Sequence, residues 1–200
     1  MIKNSIVWMR DDFRLKDNPA LSFATNNHEF VSAIYIYDKK DFDNIREAQK
    51  WWISKSLTSL KEDLSKNYIN LEIIEDNHVN FFKKLKAKDI SVYWNKIYEP
   101  QELRKDKEII TLLEKNKINF KFFKGNVLNE YNEITKSDGT PFKVYSPFWR
   151  NAENHYIESI PLKNKPLKKL KKIKNFFNNQ INPKKILPKK DWYKKFEKYW

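Results

Sequence analysis

Residues 6–21 read Ile-Val-Trp-Met-Arg-Asp-Asp-Phe-Arg-Leu-Lys-Asp-Asn-Pro-Ala-Leu, and this stretch decides the interpretation of the fold. It begins with an apolar run typical of a buried strand, and Asn18 and Pro19 lie near its end. Asparagine suits a helix N-cap, and proline suits the first helical position. Five of the charged residues between the strand and the cap are arginines or aspartates, and a tight turn can pair them with one another. They are Arg10, Asp11, Asp12, Arg14 and Asp17. The stretch therefore predicts a strand, a charge-paired corner and a helix.

Short β-branched or aromatic runs continue to alternate with helix-period stretches through residue 124, which predicts β–α units and a parallel sheet. The predicted strands are Ser5–Met9, Phe30–Tyr37, Leu71–Glu75, Ile90–Trp94 and Asn119–Phe123. Apolar residues at helical spacing predict a helix that packs on this sheet. They are Ile53, Leu57, Leu60 and Leu64. Trp51 and Trp52 begin this helix and are interpreted as core and rim packing. The fold class is α/β, with an open five-stranded parallel sheet flanked by helices.

A later helix is predicted to begin near Pro100–Glu102. Its apolar stripe consists of Leu103, Ile110 and Leu113. Glu102 and Asp106 are one turn apart, so two carboxylates face the same way near the positive end of the helix dipole. Electrostatic capping is one interpretation. Ligand contact is the other, because loops after parallel strands are where open α/β sheets bind ligands.

The composition excludes several classes of site. The 200 residues contain no Cys, which excludes disulfides, thiolate metal sites and a cysteine nucleophile. Gly125 and Gly139 are the two glycines, so neither G-x-G-x-x-G nor G-x-x-x-x-G-K-[ST] occurs. An ordinary Rossmann dehydrogenase and a P-loop NTPase are thereby excluded. His28, His78 and His155 lie far apart without an H-E-x-x-H motif, so no metal site is expected. No apolar run reaches the ~20 residues of a membrane span, and no signal peptide precedes the first strand, so we expect a cytoplasmic protein.

The positive charge is concentrated in the last quarter of the chain. Residues 151–200 carry 14 basic and 4 acidic side chains, against 26 and 22 in residues 1–150. Asp138–Pro141 is a strong turn signal, and an aromatic-rich stretch, Phe142–Arg150, follows it. From Pro161 onward, prolines and lysines predict a linker with little regular structure. The stretch Trp192–Trp200 holds five aromatic residues, which suggests a segment that docks on a surface absent from this chain.

Three stretches together resemble the photolyase/cryptochrome family of flavoproteins. The first is residues 6–21, and the second is Trp94-Asn95-Lys96-Ile97-Tyr98-Glu99-Pro100 with Arg104 and Asp106. The third is Gly139-Thr140-Pro141-Phe142-Lys143-Val144-Tyr145-Ser146-Pro147-Phe148-Trp149-Arg150. The resemblance implies a Rossmann-like α/β antenna domain at residues 1–130. A basic interdomain linker would follow at residues 131–200 and end where the family's helical FAD domain begins.

The resemblance implies that the parent protein is a DNA photolyase that repairs cyclobutane pyrimidine dimers. FAD, the helical domain and damaged DNA would be its partners, and we expect a monomer. A cryptochrome and a (6-4) photolyase are alternatives within the family, and a stand-alone nucleotide- or folate-binding module is an alternative from another class. The family's catalytic residues belong to the helical domain, so none is assigned to this chain. The sequence leaves open whether the lysine-rich tail contacts DNA phosphates. Such contacts would be salt-dependent.

The family's antenna site is carried over to two residues. In members that bind 5,10-methenyltetrahydrofolate, a glutamate preceded by an amide contacts the pterin, and these positions are Glu102 and Gln101 here. Members that bind a deazaflavin have Asp and Gly where this chain has Ile97 and Glu102, so the folate is favoured as antenna. A carboxylate can accept from two pterin N–H donors at once. The other family-signature residues are interpreted as structural: Arg10, Asp12, Arg14, Asp17, Asn18, Glu99, Arg104 and Asp106.

Overall fold

The computed structural model describes residues 4–85, 90–156 and 176–199. Its centre is a five-stranded sheet of parallel strands in the order β3-β2-β1-β4-β5. The strands are β1 (Asn4–Met9), β2 (Phe30–Tyr37), β3 (Asn70–Glu75), β4 (Ile90–Asn95) and β5 (Asn119–Phe123). The predicted fold class is confirmed. Three strands are one residue longer than the sequence pattern indicated.

Helices cover both faces of the sheet. They are α1 (Pro19–Asn27), α2 (Lys39–Asp43), α3 (Glu47–Lys66), α4 (His78–Lys84), α5 (Pro100–Lys115), α6 (Tyr145–His155) and α7 (Lys194–Glu197). Because side chains alternate along a strand, β1 supplies both cores. Val7 and Met9 pack with α1 and α3, whereas Ile6 and Trp8 pack with α4 and α5. No helix in the described ranges is long and apolar enough to cross a membrane.

The strand order places β1 at the centre of the sheet. The chain runs from β1 to β2 and β3 on one side, then crosses to β4 and β5 on the other. Trp8 is in register with Trp94 of β4, and Met9 is in register with Tyr35 of β2. The carboxyl ends of these three strands therefore meet at one edge, and the direction of winding changes between β1 and β4. Open α/β sheets bind ligands at such an edge.

Two predicted helix details differ from the structure. Helix α3 begins at Glu47, ahead of the tryptophan pair, and Trp52 is 58% exposed. The stripe predicted for α5 is also rotated, because Asp106 and Ile109 are buried whereas Ile110 is only partly buried. The predicted stripe contained only apolar residues and did not include Asp106. Its burial comes from a salt bridge beneath the helix.

Residues 125–156 extend beyond β5. Gly139 has a φ of +77°, and the Gly139 N–H donates to the Lys136 carbonyl, which confirms the predicted turn. The aromatic-rich stretch forms the start of α6, where Tyr145 and Trp149 stack with ring centroids 6.1 Å apart. Both rings are exposed at the surface.

Residues 176–199 return to the sheet. Gln180 forms an isolated antiparallel bridge with Ile74 of β3, and two short 3-10 helices, Pro183–Ile186 and Asp191–Tyr193, precede α7. Of the linker prolines used in the sequence prediction, Pro161 and Pro166 lie outside the described residues. The described part has short helical turns and packs on β3 and α3.

Candidate functional site

A cavity of about 190 Å³ opens at the carboxyl ends of β1 and β2, beneath the start of α5. Its apolar wall comes from Met9, Ile36, Phe42, Ile45, Ile53 and Ile97. Its polar wall comes from Arg10, Asp11, Tyr35, Asp38, Asp41, His78, Glu99, Glu102 and Lys105. This mixture of an apolar floor and converging polar groups is typical of a small-molecule site.

Arg10 follows β1 and lies beneath α5, with only 5% of the residue exposed. Its guanidinium donates to both oxygens of Asp106, at 2.8 and 3.3 Å, and to the Asn95 carbonyl oxygen at 2.7 Å. The Trp94 indole N–H donates to the same carboxylate at 3.2 Å. The guanidinium also lies 4.4 Å from the ring centroid of Trp8. A bidentate pair of this kind fixes the helix to the strands beneath it.

A second hydrogen-bonded group closes the corner between β1 and α1. Asp12 accepts from the Arg10 backbone N–H at 3.0 Å and from the Asn95 side-chain amide. Asn18 caps α1 by accepting from the Leu21 N–H at 3.1 Å, and Asn95 donates to Asn18 at 2.9 Å. This confirms the predicted N-cap. The predicted pairing of charges within the turn was wrong for Arg10, whose ion-pair partners are Asp106 and Glu102 of α5. The polar side chains of Asp12, Asn18 and Asn95 are tolerated in this corner because each has a hydrogen-bond partner.

Lys105 bridges two carboxylates at the mouth of the cavity. Its ammonium lies 2.8 Å from Glu102 Oε1 and 3.1 Å from Asp41 Oδ2. The other oxygen of Glu102 lies 3.5 Å from the Arg10 guanidinium. Burial raises the pKa of Asp11, and the nearby Glu102 carboxylate raises it further. The wall therefore presents more carboxylates than cations to the cavity.

Two neutral groups complete the wall. Burial raises the pKa of the Tyr35 hydroxyl, so this side chain stays protonated and can donate a hydrogen bond. Burial and the neighbouring Lys105 ammonium lower the pKa of His78 to about 4. The imidazole is therefore neutral near pH 7, and its Nδ1 is buried without a hydrogen-bond partner in the described structure.

Asp38, Asp41 and His78 bring potential ligand atoms within 4.8 Å of one another. A metal ion would compete with donors that these carboxylates already have. Asn77 donates to Asp38 at 2.6 Å, and Lys105 donates to Asp41. The group is therefore more consistent with a hydrogen-bonded wall than with a metal centre.

The structure separates the predicted site residues into three groups. Glu102 lines the cavity, whereas Gln101 is exposed on the outer side of α5. Arg10, Asp12, Asn18 and Asp106 share the buried network described above. The remaining signature residues lie at the surface: Arg14, Asp17, Glu99 and Arg104. Of these, Arg14 donates to the Asp17 carbonyl, Asp17 has a φ of +49°, and Glu99 is the N-cap residue of α5.

The sequence analysis missed Asn95 and Lys105. Asn95 donates to two side chains and accepts from the Ala20 N–H at 3.1 Å, so it joins β4 to α1. A polar residue at the end of an apolar strand was the available signal. Lys105 could have been found from its spacing, because it follows Glu102 by three positions on a helix.

Comparison with known proteins identifies the family. The DNA photolyase family profile matches residues 5–168. A deoxyribodipyrimidine photo-lyase of Agrobacterium fabrum is 31% identical over 199 residues, covering 98% of this chain and 41% of the relative. Cryptochrome-2 of Arabidopsis thaliana is 29% identical over 168 residues, covering 81% of this chain and 27% of the relative.

A crystal structure of a bacterial class III photolyase from Agrobacterium tumefaciens superimposes on the whole chain. The TM-score is 0.82 at 29% identity, and the chain covers 42% of that structure. The chain thus spans about two fifths of these two Agrobacterium photolyases. The matched profile, the parallel sheet and the network around Arg10 together lead to one conclusion: this chain belongs to the DNA photolyase family.

Proposed function

We propose that this chain is the N-terminal, antenna-binding part of a photolyase that repairs cyclobutane pyrimidine dimers with blue light. The observation that carries the proposal is its similarity to the Agrobacterium fabrum photo-lyase over nearly its whole length. Reduced FAD and the flipped-out lesion would be held by a helical domain outside residues 1–200. Residues 1–130 would hold the antenna, and residues 131–200 would connect the two domains.

The antenna proposed for this chain is 5,10-methenyltetrahydrofolate, which absorbs near-ultraviolet light and passes the energy to the flavin. Glu102 supports this proposal through its chemistry and position. Its side chain is 21% exposed at the cavity mouth, so it can reach a ligand while lying in a partly desolvated site. A carboxylate there can accept from the pterin N–H groups. The pterin must then compete with Lys105, which now donates to Glu102.

The cavity could enclose only one edge of an antenna chromophore. Pockets for drug-sized ligands usually have volumes of at least ~300 Å³. This cavity measures about 190 Å³, and the Lys105 bridge crosses its mouth. The pterin edge of the folate would insert, and the rest of the molecule would lie outside the cavity. Gln101 is exposed and would contact the part of the ligand that remains outside.

The antenna proposal is tested by reconstituting the complete gene product that contains this chain with 5,10-methenyltetrahydrofolate. The wild type should retain a near-ultraviolet pterin band after gel filtration, and Glu102→Ala should lose most of it. Glu108→Ala is the matched control, because Glu108 is an exposed glutamate on the same helix. An unchanged pterin band in Glu102→Ala would contradict the assignment of Glu102. Stable retention of a deazaflavin instead would contradict the folate.

Repair activity is tested separately on the same gene product with its flavin reduced. Oligonucleotides containing one cyclobutane thymine dimer should be restored under blue light and remain unrepaired in the dark. Repair of (6-4) lesions alone would favour the alternative photolyase. Flavin binding without repair of either lesion would favour a cryptochrome, which the similarity to cryptochrome-2 keeps as the second candidate.

A further inference from the structure

Glu72 carries a carboxylate inside the edge strand β3, and the residue has no exposed surface. Ser32 of β2 donates to Oε1 at 2.8 Å. The other donors come from the returning segment, residues 176–187. The backbone N–H groups of Phe176 and Phe177 each lie 2.9 Å from a carboxylate oxygen, and the Gln180 side-chain amide lies 2.9 Å from Oε2. Glu72 thus organises the returning segment, although it lies more than 100 positions earlier in the chain.

The contacts that follow continue the β3 edge. The Ile181 N–H donates to the Ile73 carbonyl at 2.8 Å, and Gln180 forms the antiparallel bridge with Ile74. Phe177 packs against Phe81 of α4 with ring centroids 4.9 Å apart. The returning segment therefore covers part of a sheet edge whose backbone groups would otherwise face solvent.

Residues 183–197 make further contacts with the first half of α3. Ser54 donates to the Pro183 carbonyl at 2.9 Å, and Ile186 is 2% exposed within the core. Near the first turns of α3, Glu197 accepts from the Trp51 indole N–H at 3.2 Å and pairs with Lys55 at 2.6 Å. Helix α3 begins at the carboxyl edge of the sheet, which is also the edge that holds the cavity. The described chain therefore ends beside the candidate site.

We propose that Glu72 is the positioning residue that seats the interdomain linker on the α/β domain. It acts through the backbone of Phe176 and Phe177 and has no role in binding the chromophore. A buried carboxylate without hydrogen bonds is strongly unfavourable, and the first donors outside the sheet are supplied by the linker. The same linker segment therefore covers the edge of β3 and donates hydrogen bonds to the Glu72 carboxylate. Together these contacts fix the linker in one register on β3.

The consequence for the whole enzyme rests on the proposed function. A flavin domain that follows the linker would begin at a fixed position relative to the antenna cavity. Energy transfer between two chromophores depends on their separation and orientation. Glu72 would thus help to set the antenna–flavin geometry without contacting either chromophore.

The test measures amide hydrogen exchange by NMR in the chain of residues 1–200, without chromophore, DNA or light. In the wild type, the amides of Phe176, Phe177 and Ile181 should be protected. Glu72→Gln should lower that protection on the order of tenfold to a hundredfold, because hydrogen bonds to a charged acceptor are replaced by weaker ones to an amide. Protection of Val7 in the central strand should change much less.

Glu75→Gln is the matched control, because Glu75 lies on the same strand and pairs with Lys185 of the returning segment at the surface. It should leave exchange at Phe176 and Phe177 within about twofold of the wild type, as expected for an exposed ion pair. Equal loss of protection in both variants would overturn the special role of Glu72. So would unchanged protection in Glu72→Gln.

Gln180→Ala provides a second variant if Glu72→Gln does not fold. It removes one donor to the carboxylate and should lower protection at Phe177 and Ile181 while β1 stays protected. Protection that falls uniformly across the sheet would show a general loss of stability and overturn the proposal. Because no step uses a chromophore, failure here leaves the antenna proposal intact, and failure of pterin binding leaves this one intact.

Discussion

Removal of the Asp106 carboxylate should strongly destabilise the domain. In Asp106→Asn, the Arg10 guanidinium stays buried but loses its bidentate partner, which accepts at 2.8 and 3.3 Å. Breaking a buried ion pair by removing one partner costs about 3–5 kcal/mol. Arg10 keeps the Asn95 carbonyl at 2.7 Å and Glu102 at 3.5 Å, so we expect the lower end, about 3 kcal/mol. For a chain of this length, that corresponds to a fall in melting temperature of roughly 6–12 °C.

Urea denaturation followed by far-ultraviolet circular dichroism measures this change. The midpoint should fall while the slope of free energy against urea stays constant. Glu102→Gln is the control, because its longer contact to the same guanidinium predicts a loss below about 1 kcal/mol. The double variant Arg10→Met/Asp106→Leu should recover most of the stability, since it leaves no buried charge unpaired. A loss below about 1 kcal/mol in Asp106→Asn, or a double variant as unstable as the single one, would refute the reasoning.

Three further changes test other parts of the structure. Gly125→Ala should destabilise the domain in urea denaturation, because an added Cβ would lie 1.9 Å from the Lys96 carbonyl oxygen; a stability equal to wild type would contradict this close approach. Stability should fall by about 1–3 kcal/mol as the pH drops from 6.5 to 4, because the unfolded chain protonates His78 while the folded chain, with a pKa of about 4, does not. His78→Gln should flatten that part of the pH profile, and an identical profile would rule out His78 as its source. Asn77→Ala should cost about 1 kcal/mol in the same denaturation assay, because it removes the α4 cap and a donor to Asp38, and a neutral result would show that neither contact matters.

Local patterns were sufficient to predict the sheet. The cores of β1, β2, β3 and β4 are largely apolar runs buried on both faces, and such runs are typical of parallel sheets, whereas the edge strand β5 is mostly exposed. Helix α5 shows where this reasoning fails. The predicted apolar stripe of α5 did not include Asp106, which is buried against Arg10, 96 positions earlier in the chain. A pattern limited to one helix contains no information about a partner on another strand.

The same limit applies to the candidate site and the linker. The N-cap role of Asn18 was predictable because its cap partner, the Leu21 N–H, lies three positions away, whereas the contacts of Asn18 and Asp12 with Asn95 were not. Glu72 was not, because its donors come from residues 176–180 and follow a stretch with no strand or helix pattern. The available signal was a single charged residue inside the apolar strand Asn70–Glu75. Such a residue predicts a partner, but it does not identify where in the sequence the partner lies.

The corner after β1 also explains why the ligand cavity lies where it does. In dinucleotide-binding sheets, a glycine-rich turn lets a pyrophosphate reach the free N–H groups of the first helix. Here the Leu21 N–H donates to Asn18 and the Ala20 N–H donates to Asn95. These two N–H groups of the first helix are therefore already hydrogen-bonded to side chains and are not available to a pyrophosphate.

The crevice between β1 and β4 is likewise filled, by Arg10 and its partner Asp106. The cavity of the candidate site lies on the β1–β2 side. Its polar wall consists of carboxylates, a neutral phenol, a neutral imidazole and two cations, Arg10 and Lys105, that already pair with carboxylates. Such a wall is unfavourable for phosphate groups and favourable for a ligand rich in N–H donors. A pterin meets that requirement, whereas the pyrophosphate of a nucleotide cofactor does not.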